Sequence, residues 1–293
     1  MAWLWAAVFV LVGVALYDAL LDRMVPPNAA AYREYNLDRI RSFAEDFPKG
    51  DATRIVAIGN SRLKYATLDD EQMAGLAESI GAGRFGLLRL VNNSAIFRDF
   101  EPLTDALLAI EPDAIVVQLD LMAIGQSRAG QRFLSHEYLT WQLLGYGPWH
   151  PRGDSPEVVQ YAKPCGRIAP QEHLNTMVKH TRQWIKEDTA ATSARQAHAF
   201  VDRAVRAGIP VVLVAVPATI EMERVHPSDH GAYLTGAAAI QEMHRSVELL
   251  RYPGPVPRER ACDAVHMDDV AREQFSRWLI TELSRRLGAG RGG

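Results

Sequence analysis

The chain has 293 residues, 48% hydrophobic and 23% charged, which suits one large folded domain with a tail and excludes a low-complexity polymer. A net charge of −3 provides no basic field and excludes nucleic acid as an expected partner.

The N-terminus differs from the rest. Ala2 to Tyr17 is uncharged and carries Trp3, Trp5 and Phe9; Asp18 interrupts it before Ala19-Leu20-Leu21. A bilayer is spanned by about 20 apolar residues, so residues 1–23 read as a membrane anchor with Trp at the interface. A cleaved signal peptide and a soluble buried helix are the alternatives, the signal disfavoured because no Lys or Arg precedes the run. With an anchor, the protein is expected in the cell membrane as a single-pass chain, its body periplasmic or extracellular.

Pro26-Pro27 ends the anchor, and 24–50 reads as a polar, mostly helical connector. The body, 51–287, then alternates strands and helices. Arg54 to Ile58 is a wholly apolar, β-branched strand after its first residue. A helix follows the turn at Ser61, with Thr67 as N-cap, Asp70 three residues on, and Met73, Leu76 and Ile80 on one face. Leu87 to Val91 is the second strand, ended by Asn92-Asn93-Ser94. Pro102 opens a helix striped by Leu103, Leu107 and Ile110, and Ala114 to Leu119 is the third strand.

Residues 124–190 break the rhythm. Tyr138, Trp141, Tyr146, Trp149 and Tyr161 mark this stretch as an aromatic insertion on the core. Ala197, Phe200, Val201 and Ala204 resume a helix that Gly208 stops. Pro210 to Val216 is the fourth strand. His226, Asp229 and His230 lie in a polar loop, where Pro227 and Ser228 argue against a metal-binding helix face. A helix at 235–246, an edge strand at 247–250 and a last helix from Asp268 complete the body; 288–293 is a Gly-rich tail. No metal or cofactor is expected.

Alternating buried strands and helices predict an α/β fold with a parallel sheet covered on both faces. Ligands bind such sheets beyond the carboxyl ends of the strands. Ser61, Asn92, Asn93 and Asp120 follow the ends of separate strands, so they converge on one rim.

Near the other end stands Cys262-Asp263-Ala264-Val265-His266-Met267. A serine hydroxyl needs a base within hydrogen-bond reach, and that base needs a partner that sets its tautomer. His266 is the candidate base, Asp263 its acid partner and Ser61 the nucleophile. The developing oxyanion needs donors. The backbone N–H groups of Ser61 and near Ser94 qualify, as do the side chains of Asn92 and Asn93. Arg62 either clamps an anion or pairs with the connector; Asp120 either pairs with Arg62 or holds a substrate hydroxyl. Cys165 and Cys262 are either two buried thiols or, in an oxidising compartment, one disulfide.

Gly59-Asn60-Ser61-Arg62, the Asn93-Ser94 turn and Asp263-x-x-His266 before a final helix resemble the SGNH/GDSL hydrolase superfamily. The resemblance spans roughly residues 53 to 286. It implies a flavodoxin-like three-layer α/β/α sandwich, with Ser61 as nucleophile, His266 as base and Asp263 as acid. Two positions depart from the pattern. Ser94 or Ala95 stands where the second block offers Gly, and Gln118-Leu119-Asp120 stands where the third offers Gly-x-Asn-Asp. The oxyanion hole is then incomplete, or rebuilt from Gln118, Asn92 or Asn93. With its anchor, the chain looks like the membrane-anchored branches that serve envelope polysaccharide and teichoic-acid acylation beside a membrane-bound O-acyltransferase.

Two functions follow as expectations. One is a membrane-anchored serine esterase or O-acyltransferase, working through an acyl-enzyme on an acylated donor and an extracytoplasmic carbohydrate polymer. The alternative is a non-catalytic adaptor that binds the polymer or the acyltransferase partner.

Overall fold

Alternating side chains of the buried strands feed two separate apolar clusters, one on each face of a single sheet. In this computed structural model the described residues are 28–93, 95–126, 185–187, 192–220, 247–263 and 265–289, with a few single positions besides. The sheet holds β1 (Thr53–Gly59), β2 (Phe85–Val91), β3 (Ala114–Gln118), β6 (Val211–Ala215) and β7 (Val247–Arg251), in the order β2-β1-β3-β6-β7. Every neighbouring pair is parallel. Taken by their sequence among these five strands, that order is 2-1-3-4-5, the flavodoxin-like winding. A short antiparallel pair, β4 (Ile124–Gln126) and β5 (Ile185–Glu187), stands apart from the sheet.

Parallel strands need crossovers, and helices supply them on both sides. α1 (Asn28–Asp46), α4 (Thr104–Ala109) and α6 (Thr192–Arg206) lie on one face, where Val56, Ile58, Leu88, Leu90, Ile115 and Val117 meet Ile40, Phe43, Leu107 and Phe200. α2 (Ser61–Ala66), α3 (Asp70–Ser79) and α7 (Asp269–Ala289) lie on the other. There Ile55, Ala57, Leu87 and Val116 meet Leu63, Met73, Phe275 and Leu279. The four-residue α5 (Asp120–Ala123) follows β3 directly. The three-layer α/β/α sandwich expected from the sequence is therefore present.

Three local expectations change. Residues 28–46, expected within a polar, mostly helical connector, form α1, which is part of the core. Tyr32, Ile40 and Phe43 are buried, and the Tyr32 hydroxyl donates to the Val91 carbonyl at 3.1 Å. A Cβ on Gly86 would come within 2.7 Å of the Phe47 ring, so β2 needs a glycine there for α1 to lie close. Thr67 does not cap α3. Asp69 does, accepting from Gln72 N at 2.8 Å, while Asp70 takes the Arg39 guanidinium and Arg89 N. Thr67 instead closes α2, its N–H donating to Leu63 O at 3.0 Å. Pro102 sits in a 3₁₀ turn, Glu101–Leu103, just before α4.

Arg89 is the largest buried polar side chain of β2, 2% exposed. Its Nη1 donates to Lys64 O at 3.3 Å, Thr67 O at 2.7 Å and Thr67 Oγ1 at 3.2 Å. These bonds satisfy carbonyls at the end of α2 that no further turn could reach. Burial pulls the guanidinium down to about 10, which leaves it charged at neutral pH.

Most of residues 1–23, expected as an anchor, lies outside the described residues. Trp5, Phe9, Val12 and Leu16 are helical and exposed. Among the described residues, no helix is long and apolar enough to cross a membrane. The aromatic residues of the insertion and the His226–His230 loop also lie outside the described residues.

If α1 is a layer of the core, Phe43→Ala lowers unfolding stability by about 3–5 kcal/mol in a urea titration. A loss below about 1 kcal/mol would contradict a core role for α1.

Candidate active site

The turn after β1 is tight because nothing but glycine fits at its start. A Cβ on Gly59 would stand 2.5 Å from Leu63 Cβ and 2.7 Å from Gln118 Oε1. Asn60 follows in extended conformation and caps α2, its Oδ1 accepting from Arg62 N at 2.9 Å. Ser61 is thereby the first helical residue. Its N–H belongs to the turn that has no preceding carbonyl to bond.

Beneath this turn runs a buried polar network. Gln118, at the end of β3 and fully buried, accepts from Asn60 N at 2.8 Å. Its Nε2 donates to Asn60 Oδ1 at 2.9 Å and to Asp120 Oδ2 at 2.8 Å. An amide nitrogen has two protons, so both are spent. Gln118 therefore does not supply the oxyanion donor that the sequence allowed it; it positions the turn. Asp120 Oδ2 also takes Arg62 Nη1 at 2.7 Å, and Arg62 Nη2 donates to Val216 O. Arg62 thus pairs with Asp120 and not with the connector, and Asp120, 4% exposed, faces its partners inside the network. One set of bonds joins the ends of β1, β3 and β6.

Asp263 and His266 come from a short closed loop before α7. Ala261 and Met267 form an antiparallel bridge, and Cys262 N donates to His266 O at 2.8 Å. Within it, Asp263 Oδ1 accepts from Val265 N and His266 N, both at 2.9 Å. The loop is held at its exit by Asp268, which donates its N–H to Arg260 O at 2.9 Å and caps α7 by accepting from Ala271 N.

The two ends of the chain meet here. His266 Nδ1 lies 2.7 Å from Asp263 Oδ2, and His266 Nε2 lies 2.9 Å from Ser61 Oγ, across 205 positions. Burial pushes the Asp263 carboxyl up. The His266 hydrogen bond, its charge and the two backbone N–H groups outweigh that, so the carboxyl sits below its ordinary value. An ionised Asp263 accepts the Nδ1 proton and leaves Nε2 with a lone pair toward the hydroxyl.

Asn92 and Asn93 follow β2, whose last residue Val91 is in register with Gly59. Asn92 N extends that ladder to Gly59 O at 3.3 Å. Asn93 is thus two residues past Val91, as Ser61 is two past Gly59. Asn93 Oδ1 accepts from Lys64 Nζ at 3.3 Å, which leaves its amide nitrogen as the donor end. Ser94 lies outside the described residues. One neighbour was not singled out in the sequence: Tyr65 packs its ring 4.6 Å from the His266 ring, centroid to centroid. Its position four after Ser61 on a helix was the available signal.

Cys262 is disulfide-bonded, and Cys165, the chain's other cysteine, lies outside the described residues. Among the described residues, no cluster of His, Cys, Asp and Glu could hold a metal ion.

No family model matches the chain, and no curated protein matches it in sequence. Among solved structures it is similar to a GDSL-like lipase from Bacteroides thetaiotaomicron, with 10% identity and a TM-score of 0.41 over 86% of this chain and 98% of that one. It is also similar to an acetyl xylan esterase, with 12% identity and a TM-score of 0.41 over 78% of this chain and 99% of that one. At such scores the overlap is loose, and the chemistry of this chain is read from its own residues.

Two measurements check the site's framework. Gln118→Leu leaves Asn60 and Asp120 short of buried partners and should cost about 1–3 kcal/mol in urea unfolding; a loss under ~0.5 kcal/mol would contradict the network. Unreduced protein, denatured and titrated with a thiol reagent, should show no reactive thiol, and two would contradict the disulfide.

Proposed function

We propose that the chain is a serine hydrolase of SGNH/GDSL type, an esterase or O-acyltransferase that works through an acyl-enzyme. The observation that carries this reading is the unbroken chain from Asp263 through His266 to Ser61, at 2.7 and 2.9 Å.

Ser61 Oγ attacks the ester carbonyl carbon while His266 Nε2 takes the hydroxyl proton. Asp263 keeps the imidazole in the right tautomer and stabilises the imidazolium as it forms. The carbonyl oxygen becomes an oxyanion facing the Ser61 N–H, with the Asn93 amide as the side-chain donor. The tetrahedral intermediate collapses, the bond to the alcohol oxygen breaks, and the imidazolium protonates that oxygen. Acyl-Ser61 remains. Water or a sugar hydroxyl then attacks it, deprotonated by the same imidazole, and the serine is regenerated.

The preferred setting is a membrane-anchored protein outside the cytoplasm, with a carbohydrate polymer as acceptor or substrate and a membrane-bound O-acyltransferase as partner. The uncharged run Ala2 to Tyr17 and the disulfide at Cys262 favour this setting.

A second reading is favoured by one observation. Both amide protons of Gln118 point into the network, so the end of β3 offers no side-chain oxyanion donor from that residue. A non-catalytic adaptor that binds a polymer would retain the fold with such a change.

A fluorophosphonate probe and p-nitrophenyl acetate separate the two. The enzyme reading predicts labelling that Ser61→Ala and His266→Ala abolish, and ester turnover that Ser61→Ala lowers by about 10³-fold or more. Folded protein that takes no label and turns over no ester would leave the adaptor.

The depressed Asp263 carboxyl adds a pH dependence. Its contribution to stability is fully present above the unfolded carboxyl's 3.8 and is lost as pH falls through the lower folded value. The stability difference between wild type and Asp263→Asn should therefore shrink as pH falls below about 4. A difference that grows on acidification would contradict the ionised, hydrogen-bonded carboxylate.

A further inference from the structure

We infer that Tyr65 is a positioning residue for the general base, fixing the plane of the His266 ring; this rests on the serine-hydrolase reading of the site. α2 begins at Ser61, so residue 65 lies one turn on and on the same face as the nucleophile. The ring centroids of Tyr65 and His266 are 4.6 Å apart and the planes are tilted by 41°. That distance is at the close end of aromatic contacts. The same short helix thus carries the hydroxyl that meets the imidazole edge and a ring packed against the imidazole.

Two hydrogen bonds do not immobilise an imidazole. Asp263 and Ser61 hold its two nitrogens, but the ring can still rock about the line between them. A neighbour on the ring face removes that freedom. The need is greatest once Ser61 is acylated, because Oγ then no longer holds Nε2. During that half of the reaction, the Asp263 bond and the Tyr65 contact are left to keep Nε2 directed at the incoming hydroxyl.

Tyr65 is itself held. Lys64 Nζ lies 5.6 Å and the Arg272 guanidinium carbon 5.9 Å from its ring centroid. Arg272 sits in the first turn of α7, directly after the Asp263–His266 loop, and is 9% exposed. The tyrosine, on the nucleophile's helix, therefore also meets the helix that follows the base.

The test compares wild type, Tyr65→Phe and Tyr65→Leu with p-nitrophenyl acetate as substrate. Tyr65→Phe keeps the ring and should stay within about twofold in kcat. Tyr65→Leu should lower kcat by about 5- to 30-fold with KM within about threefold, since the ring acts on the base and not on ester binding. Should the Leu variant lose its cooperative melt, Tyr65→Met is the ring-less substitute. Wild-type kcat in a folded ring-less variant would overturn the proposal, as would a Phe variant as impaired as the Leu variant.

Histidine-ring NMR, assigned against His266→Ala, separates this result from the fate of the hydrolase reading. His266 ring protons in wild type should carry a ring-current shift that the ring-less variant loses. If that shift is present and no ester is turned over, the positioning stands and the hydrolase reading fails. Identical His266 ring signals in wild type and the ring-less variant would overturn the positioning itself.

Discussion

One imidazole lies within hydrogen-bond reach of one hydroxyl, with 205 positions of chain between them. The parallel sheet makes that possible. Strands that all run one way end on one edge, and the order β2-β1-β3-β6-β7 puts the reversal of the winding between β1 and β3. Ser61 leaves β1 at that point. The last loop, returning after β7, brings His266 to the same edge.

What turns proximity into alignment is the satisfaction of buried polar groups. Asn60, Gln118, Asp120 and Arg62 bond to one another below the serine, and Arg62 reaches on to the carbonyl after β6. Each group would be costly to bury alone. Together they leave the turn a single arrangement, and the absent side chain of Gly59 lets Leu63 and Gln118 close over it. On the other side, Asp263 uses one oxygen for two backbone N–H groups and the other for the imidazole. Asp263 thus shapes its own loop and orients the His266 ring at once.

The strands were legible because β1, β3 and β6 carry continuous, largely β-branched apolar runs and β2 is apolar but for Arg89, and the Ser–Asp–His order was legible because its residues sit at predictable ends of elements. Other features depended on tertiary partners. Thr67 was the expected cap of α3, but it closes α2, and with Asp70 taken by Arg39 and Arg89 the cap falls to Asp69. α1 passed for a connector because its surface is strongly polar, although Tyr32, Asn36, Ile40, Phe43 and Phe47 recur at helical spacing and four of the five are buried. Gln118 was open to a donor role because what orients it, Asn60, stands 58 positions away in the sequence. Tyr65 was visible only as one tyrosine among nine until its ring was found against His266.

The most direct test of the central claim is to trap the covalent intermediate. Protein mixed rapidly with p-nitrophenyl acetate, quenched in acid and digested should yield the Ser61 peptide carrying one acetyl group, and His266→Ala should yield it unmodified. Ester turnover with no acetyl on Ser61, or with the acetyl on another residue, would contradict a nucleophilic serine at the end of β1.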